Sequence, residues 1–412
     1  MTYQIPKGLF DILPYGEKEE WKLSSAWQYI EKILHKLAGD YGFQEIRTPI
    51  FEHADLFQRG VGDTSDIVTK EMYTFEDKGG RTLCLRPEAT SSVMRAFVEH
   101  KLYALGGVHK LYTIGPMFRY ERPQAGRYRQ HHQFDVEVLG SKSYETDAET
   151  IDLFYSLCQR LGIKNITVML NSIGDLAARD SFRKALKDFL SPHLSKLSED
   201  SKIRFEKNPL RILDSKDPED QKLLVNAPSI LDYLSPDDKK HFDGLCRCLD
   251  AIKIPYQINP KIVRGLDYYN RTVFEVVSYD LGSQNAIGGG GRYDGFTAVF
   301  GGPSMPGIGF AAGMERLLQT MWKQGAQFPL ESVPFVFFIP LGEEAKEKAF
   351  SLTTELRRHL IPAEVDLEAK KIAQGLQRAD KVKARFAIIL GTDELQNGKV
   401  KIKDMQKREE EE

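Results

Sequence analysis

Residues 111–139 read LYTIGPMFRYERPQAGRYRQHHQFDVEVL. At a period of two, the first half sets Met117, Arg119 and Glu121 on one face and Phe118 and Tyr120 on the other. The second half sets Gln133, Asp135 and Glu137 against Phe134, Val136 and Val138. Such alternation marks strands with one packed and one open face. Between the halves, RPQAGRYRQ carries Pro, Gly and the arginines Arg122, Arg127 and Arg129, and predicts a loop. Together they predict an antiparallel hairpin whose polar floor holds both charges beneath a basic loop. Carboxylates on such a floor take ammonium groups and guanidinium forks take phosphate oxygens, so the floor suits a zwitterion beside a polyphosphate. A solvated sheet face with scattered ion pairs carries the same pattern. The rest of the chain has to choose between them.

A chain of 412 residues predicts two or three domains. With 41% hydrophobic and 28% charged residues it has the composition of an ordinary soluble globular protein. A net charge of -2 gives no global pull toward nucleic acid or membrane, although a local basic patch can still bind RNA. Of the cysteines Cys84, Cys158, Cys246 and Cys248, the last two are one residue apart, which is not a zinc spacing. Free thiols in a reducing cytoplasm are expected. MTYQIPKGLF has no signal-peptide core and no run approaches membrane-spanning length, so a cytoplasmic protein without a membrane partner is expected.

Working outward from the hairpin, Trp21, Tyr29, Ile30, Ile33, Leu34 and Leu37 have helical spacing, with a stop at Gly39 and Gly42. GFQEIRTPIFE then reads as a strand bending at Pro49; this helix–strand pair suits a core element or a subunit contact alike. TLCLRPEATSSVMRAFVEH runs from a strand into a helix, and Glu88 at the junction is a helix cap or a ligand. Beyond the hairpin a helix spans about 145–161, followed by the strand and turn ITVMLNSIG. From about 175 to 249 the chain is charge-rich and helical, an inserted module. Strands return in YQINPKIVRGLDYYNRTVFEVVSY, with Arg264, Asp267, Tyr268 and Tyr269 at a turn between them. In NAIGGGGRYDGF four glycines let backbone approach a ligand, but they do not open the helix of a βαβ unit, which argues against a dinucleotide site. PGIGFAAGMERLLQTM predicts a helix whose glycine-rich start holds Gly307, Gly309 and Gly313, with Arg316 in its first turns. After a linker near 325–334, strand–helix–strand–helix–strand predicts a small α/β domain with a parallel sheet. Its Lys370, Lys371, Arg378, Lys381, Lys383 and Arg385 form either a solvated face or an RNA contact.

Arg and Glu on strands of one sheet, glycine backbone beside them, and tyrosines recur in four separated segments. At this point the chain resembles the class II aminoacyl-tRNA synthetases, specifically the histidyl-tRNA synthetases, over nearly its whole length. GFQEIRTPIFE with its preceding helix resembles the dimer-forming first class II motif, FRYE with QHHQFDVEV the second, and GIGFAAGMERL the third. LRPEAT and RGLDYYNRTVFE resemble segments special to the histidine enzymes, and the class I signatures HIGH and KMSKS are absent. The resemblance implies an α/β architecture with an α+β catalytic domain: an antiparallel sheet flanked by helices in 1–171 and 256–325, a helical insertion at 172–255, and an anticodon-binding α/β domain at 326–412. It implies a homodimer that uses ATP with Mg²⁺ to activate L-histidine and charge its tRNA.

By the same resemblance Arg119 and Arg264 hold the α-phosphate, Arg127 and Arg316 the outer phosphates, and Glu121 the adenine amino group. Gly307 and Gly309 make room for ATP. Glu88, Thr90 and Gln133 hold the amino group of histidine; Glu137, Tyr268 and Tyr269 hold its imidazole. Gln124 is implied near the tRNA acceptor end. His131 stands where the family usually has an aromatic ring on adenine, and a His ring also stacks. A non-charging relative, the regulatory subunit of ATP phosphoribosyltransferase, shares the fold; the intact LRPEAT, FRYE, RGLDYY and MERL segments argue against it.

Overall fold

The computed structural model describes residues 3–62, 65, 67–121, 126–263, 268–281, 285–328, 334–368 and 370–411. The chain divides into two units, Met1–Phe328 and Pro329–Glu412. Strands of the first unit are β1 (Gln44–Glu45), β2 (Phe51–His53), β3 (Thr74–Glu76), β4 (Thr82–Leu85), β5 (His109–Phe118), β6 (Gln130–Leu139), β7 (Ile166–Ser172), β8 (Tyr256–Ile258), β9 (Asn270–Ser278), β10 (Ala286–Arg292) and β11 (Gly307–Gly313). Eight of them form one sheet in the order β1-β5-β6-β11-β10-β9-β7-β8. It is antiparallel except at its edges, where β1 joins β5 and β8 joins β7 in parallel. β2, β4 and β3 form a separate small sheet. GFQEIRTPIFE is therefore not one bent strand: β1 and β2 serve different sheets, because Pro49 lies between them.

β5 and β6 make the expected hairpin, in register from His109 opposite Leu139 to Phe118 opposite Gln130. The ladder stops at Phe118, so Arg119 and Glu121 leave the hairpin from its mouth and not from a strand. The apolar face of β6 (Phe134, Val136, Val138) packs in a core with Ile30, Leu34 and Leu37 of helix Ser24–Asp40 and Ile151, Phe154 and Leu157 of helix Tyr144–Arg160. That burial of two helical stripes on one sheet face leaves the opposite face for polar side chains.

Residues 307–313 form a strand, and helix Met314–Lys323 begins only after it. The segment is a strand and not a helix start; its glycines carry no side-chain alternation to mark it. The glycines close the sheet here: a Cβ on Gly290 would lie 1.9 Å from the carbonyl oxygen of Gly309 across the β10–β11 seam. The inserted segment folds into helices Leu176–Leu190, Glu199–Lys207, Pro218–Leu223 and Pro236–Ala251. Asp175, Ser198, Asp217 and Ser235 cap them by accepting hydrogen bonds from first-turn amides.

In the second unit β12 (Val336–Pro340), β13 (Ala363–Val365), β14 (Phe386–Leu390), β15 (Lys401–Asp404) and β16 (Glu410–Glu411) lie in the order β13-β12-β14-β15-β16. The first three are parallel, as expected, but β15 and β16 add antiparallel edges. Their sequences, KIKD and EE, are charged edge strands with no hydrophobic face to announce them. Helices Glu343–Arg358 and Ile372–Lys381 cover opposite faces, the first through Ala345 and Ala349, the second through Ala379.

Candidate active site

A cavity of about 400 Å³ opens on the polar face of β6, β10 and β11. It has an anionic and a cationic half. Alternation along β6 delivers Gln133, Asp135 and Glu137 to the wall, and the turn before helix Thr90–Glu99 adds Glu88 and Thr90. Glu88, Asp135 and Glu137 are only 4%, 2% and 2% exposed. Glu88 caps the helix, its Oε1 accepting from the Ser91 amide at 2.9 Å, while its Oε2 faces the cavity buried without a hydrogen-bond partner among the described residues. Asp135 Oδ2 and Gln133 Oε1 are also buried without one among those residues. Orphaned buried acceptors are costly, and three on one floor mark a place shaped for a donor-rich cationic guest.

Burial raises the Glu88 carboxyl above its ordinary range. It raises Asp135 well above, helped by the charges of Glu137 and Glu88. Burial also lifts Glu137 to about 8, against the pull of hydrogen bonds from the Tyr293 and Thr90 hydroxyls. Tyr268 and Tyr269, with ring centroids 4.6 Å apart, complete this end, together with Tyr293, whose hydroxyl donates to Glu137 Oε2.

The cationic half is lined by Arg119, Arg127 and Arg316. Arg119 is aimed by a hydrogen bond from Nε to the Pro87 carbonyl at 2.9 Å, and Arg127 Nη1 lies 3.1 Å from the Glu121 carboxylate. Arg316 passes over Gly126, where a Cβ would meet its Cζ at 2.8 Å. Burial, with Arg127 beside it, pushes the Arg316 guanidinium below its usual value. His131 sits among these groups, and burial with the nearby Arg119 holds its ring at about 3, so it is neutral at physiological pH. Arg129 turns away, its guanidinium 4.1 Å from the Tyr120 ring centroid.

Of the fourteen residues assigned from sequence to histidine or ATP, twelve line this one cavity: Glu88, Thr90, Arg119, Glu121, Arg127, His131, Gln133, Glu137, Tyr268, Tyr269, Gly309 and Arg316. Arg264 lies outside the described residues, as do Arg122, Gln124 and Asp267. Gly307 is not in the cavity wall; a Cβ there would meet the Tyr293 ring at 2.3 Å, so its bareness accommodates that ring and not a ligand. Gly309 is in the wall, and a Cβ would come within 2.4 Å of Glu137 Oε2.

The sequence reading assigned no role to Asp135, Tyr293 or Glu315, all of which line the cavity. Asp135 had a visible signal, its place on the polar face between Gln133 and Glu137. Tyr293 had none, because its partner Glu137 is 156 positions away. Glu315 accepts from the His132 amide at 2.9 and 3.0 Å and meets His132 Nδ1 at 2.9 Å, tying helix Met314–Lys323 to the hairpin. Arg292, beside the glycine run, is fully buried and donates from Nε to Asp147 at 3.1 Å, while Asp147 also holds Thr272 and His241. It belongs to a polar knot in the interior, away from the cavity wall.

The family model for histidyl-tRNA synthetase matches residues 22–317, a span that holds the whole cavity wall. The chain belongs to the histidyl-tRNA synthetase family. A second model, an anticodon-binding domain, matches residues 336–412. A histidine–tRNA ligase of Protochlamydia amoebophila is 54% identical over 405 residues, covering 98% of this chain and 96% of the relative. One from Caldanaerobacter subterraneus is 46% identical over 410 residues, covering 100% and 97%. The crystal structure of apo Staphylococcus aureus histidyl-tRNA synthetase superposes with a TM-score of 0.83 at 36% identity, covering 100% of this chain and 97% of that one. The architecture of the family, an antiparallel-rich sheet flanked by helices followed by an α/β anticodon-binding domain, is the architecture found here.

Proposed function

We propose that the chain is a histidine–tRNA ligase that activates L-histidine with ATP and passes it to the 3′ end of its tRNA in this cavity. The observation that carries the reading is the two-ended cavity: unsatisfied buried carboxyls at one end and three arginines at the other, on one rigid floor. Glu88, Thr90 and Gln133 receive the ammonium group. Glu137, with Tyr268 and Tyr269, receives the imidazole, whose ring nitrogens need an acceptor and a donor, or two acceptors when charged. Asp135 adds negative charge beneath them. Arg119 and Arg264 flank the α-phosphate, Arg127 and Arg316 take the outer phosphates, Glu121 accepts from the adenine amino group, and the neutral ring of His131 stacks on the base.

A carboxylate oxygen of histidine attacks the α-phosphorus, the bond to the bridging oxygen breaks, and pyrophosphate leaves, giving histidyl-adenylate. A terminal ribose hydroxyl of tRNA then attacks the acyl carbon and AMP departs. No side chain becomes a covalent nucleophile; the protein aligns the reactants and stabilises charge developing on the α-phosphate. Mg²⁺ enters as part of the ATP substrate, on the outer phosphates. Among the described residues no group of three or more His, Cys, Asp or Glu side chains could hold a resident ion.

The second unit reads the anticodon, and Lys370, Lys371, Lys381 and Lys383 are the cations for RNA, since Arg378 is paired with Asp366 and Arg385 with Asp404. Exposed Ile50, Phe51 and Phe75 around the small sheet support a homodimer. Four free cysteines support a cytoplasmic place of work. Histidine-dependent exchange of labelled pyrophosphate into ATP, run with the other nineteen amino acids as controls, tests the reading. Exchange with histidine alone is expected; folded protein without exchange would move the chain to the non-charging regulatory relatives.

A further inference from the structure

We propose that the inserted helical module holds the tyrosine pair of the histidine pocket in position from outside, with Arg179 as the positioning residue; this rests on Tyr268 and Tyr269 recognising histidine. Arg179 lies in the second turn of helix Leu176–Leu190, the first of the module, and its Nη1 donates to the Tyr269 carbonyl oxygen at 2.9 Å. Two residues on, Arg271 has φ of 51°, a left-handed conformation that a branchless glycine takes easily and an arginine does not. Neighbouring groups hold it there. The Arg271 amide donates to the Gly174 carbonyl at 2.9 Å, and its own carbonyl accepts from the Ile173 amide at 2.7 Å. Its Nε donates to Asp238 Oδ1 at 2.8 Å, and Asp238 Oδ2 accepts from the Asp175 amide at 3.0 Å. Asp238 is buried in the first turn of helix Pro236–Ala251, the last of the module.

The tyrosine segment lies between two cavities, so these ties set its backbone. Tyr268 lines the active-site cavity on one side and a second cavity of about 750 Å³ on the other, which Arg179 and Arg271 also line. Tyr269 is buried in the core with Val273 and Tyr293, and the Tyr268 ring packs on Phe296 with centroids 4.5 Å apart, so the rings are held by packing while the backbone between them is held by hydrogen bonds. Polar anchors act beside that packing, and both run to helices of the module. The module therefore contributes to amino-acid recognition without touching the amino acid.

The test is pyrophosphate exchange by full-length Arg179→Ala, Arg179→Met and Arg179→Lys, with KM measured separately for histidine and ATP. Losing one charged donor to a carbonyl is expected to raise KM for histidine roughly tenfold. KM for ATP should stay within about twofold, since the arginine end of the cavity has other supports. Lysine, which keeps a cationic donor, should recover most of the loss. Should Arg179→Ala fail to fold, Arg179→Met, which keeps the stem and drops the donor, decides by the same criterion. An unchanged KM for histidine, a parallel rise in both KM values, or no rescue by lysine would overturn the positioning role while leaving the ligase reading intact. Absence of histidine-dependent exchange in the unmodified enzyme would overturn both.

Discussion

Replacing Glu137 with glutamine separates what this carboxyl does for the fold from what it does for the substrate. Burial lifts it from the ordinary 4.5 to about 8. Between those values the folded chain holds a proton that the unfolded chain releases. Its contribution to stability is therefore fully present below pH 4.5 and is lost as pH rises through 8. At about 1.4 kcal/mol for each pH unit of the window, that loss amounts to about 5 kcal/mol. Glutamine is nearly isosteric, stays neutral, and can still accept from Tyr293, so the variant should lack this part of the pH slope. Urea unfolding of ligand-free protein at pH 5 and pH 8.5 reads the difference: the variant should gain several kcal/mol on the parent at the higher pH and little at the lower. Pyrophosphate exchange should show the opposite sign, with KM for histidine raised about 10- to 100-fold by loss of the charged acceptor and KM for ATP nearly unchanged. Identical pH slopes would refute the burial argument, and equal effects on both substrates would refute the imidazole assignment.

Arg264→Ala should abolish exchange while calorimetry still shows histidine binding; full activity would remove its place at the α-phosphate. Asp147→Ala leaves the buried Arg292 guanidinium without its main partner and should cost about 3–5 kcal/mol in urea unfolding, with both KM values unmoved in the folded fraction. His131→Phe should keep KM for ATP within about threefold. Because the His131 ring is held at about 3, it supplies stability that is present above pH 6.5 and lost as pH falls toward 3. The phenylalanine variant should therefore lose less stability on acidification, and matching acid transitions in both proteins would contradict this.

The hairpin was legible because antiparallel strands with one buried face write their geometry into the sequence at a period of two, and Gln133, Asp135 and Glu137 show it plainly. The module helices were legible from charge-rich helical composition. What escaped notice lacked local signals. The strand at 307–313 hid behind glycines, and β15 behind charges. The roles of Tyr293 and Arg292 depend on Glu137 and Asp147, far away in the chain. Glu88 shows a different limit: a carboxylate has two oxygens, so the cap made by Oε1 leaves Oε2 turned to the cavity and does not exclude a ligand.

Three acidic groups facing one cavity also give it an acid–base chemistry of its own. Glu137, lifted to about 8, holds a proton at neutral pH, and burial pushes Glu88 and Asp135 upward as well. On the proposed reading, histidine brings its own positive charge and makes the Glu137 proton redundant. Its entry is thus an exchange of one cation for others, and protons are expected to pass to the surrounding buffer. The heat of histidine binding would then differ between phosphate and Tris at the same pH, by the buffer's heat of ionisation for each proton released.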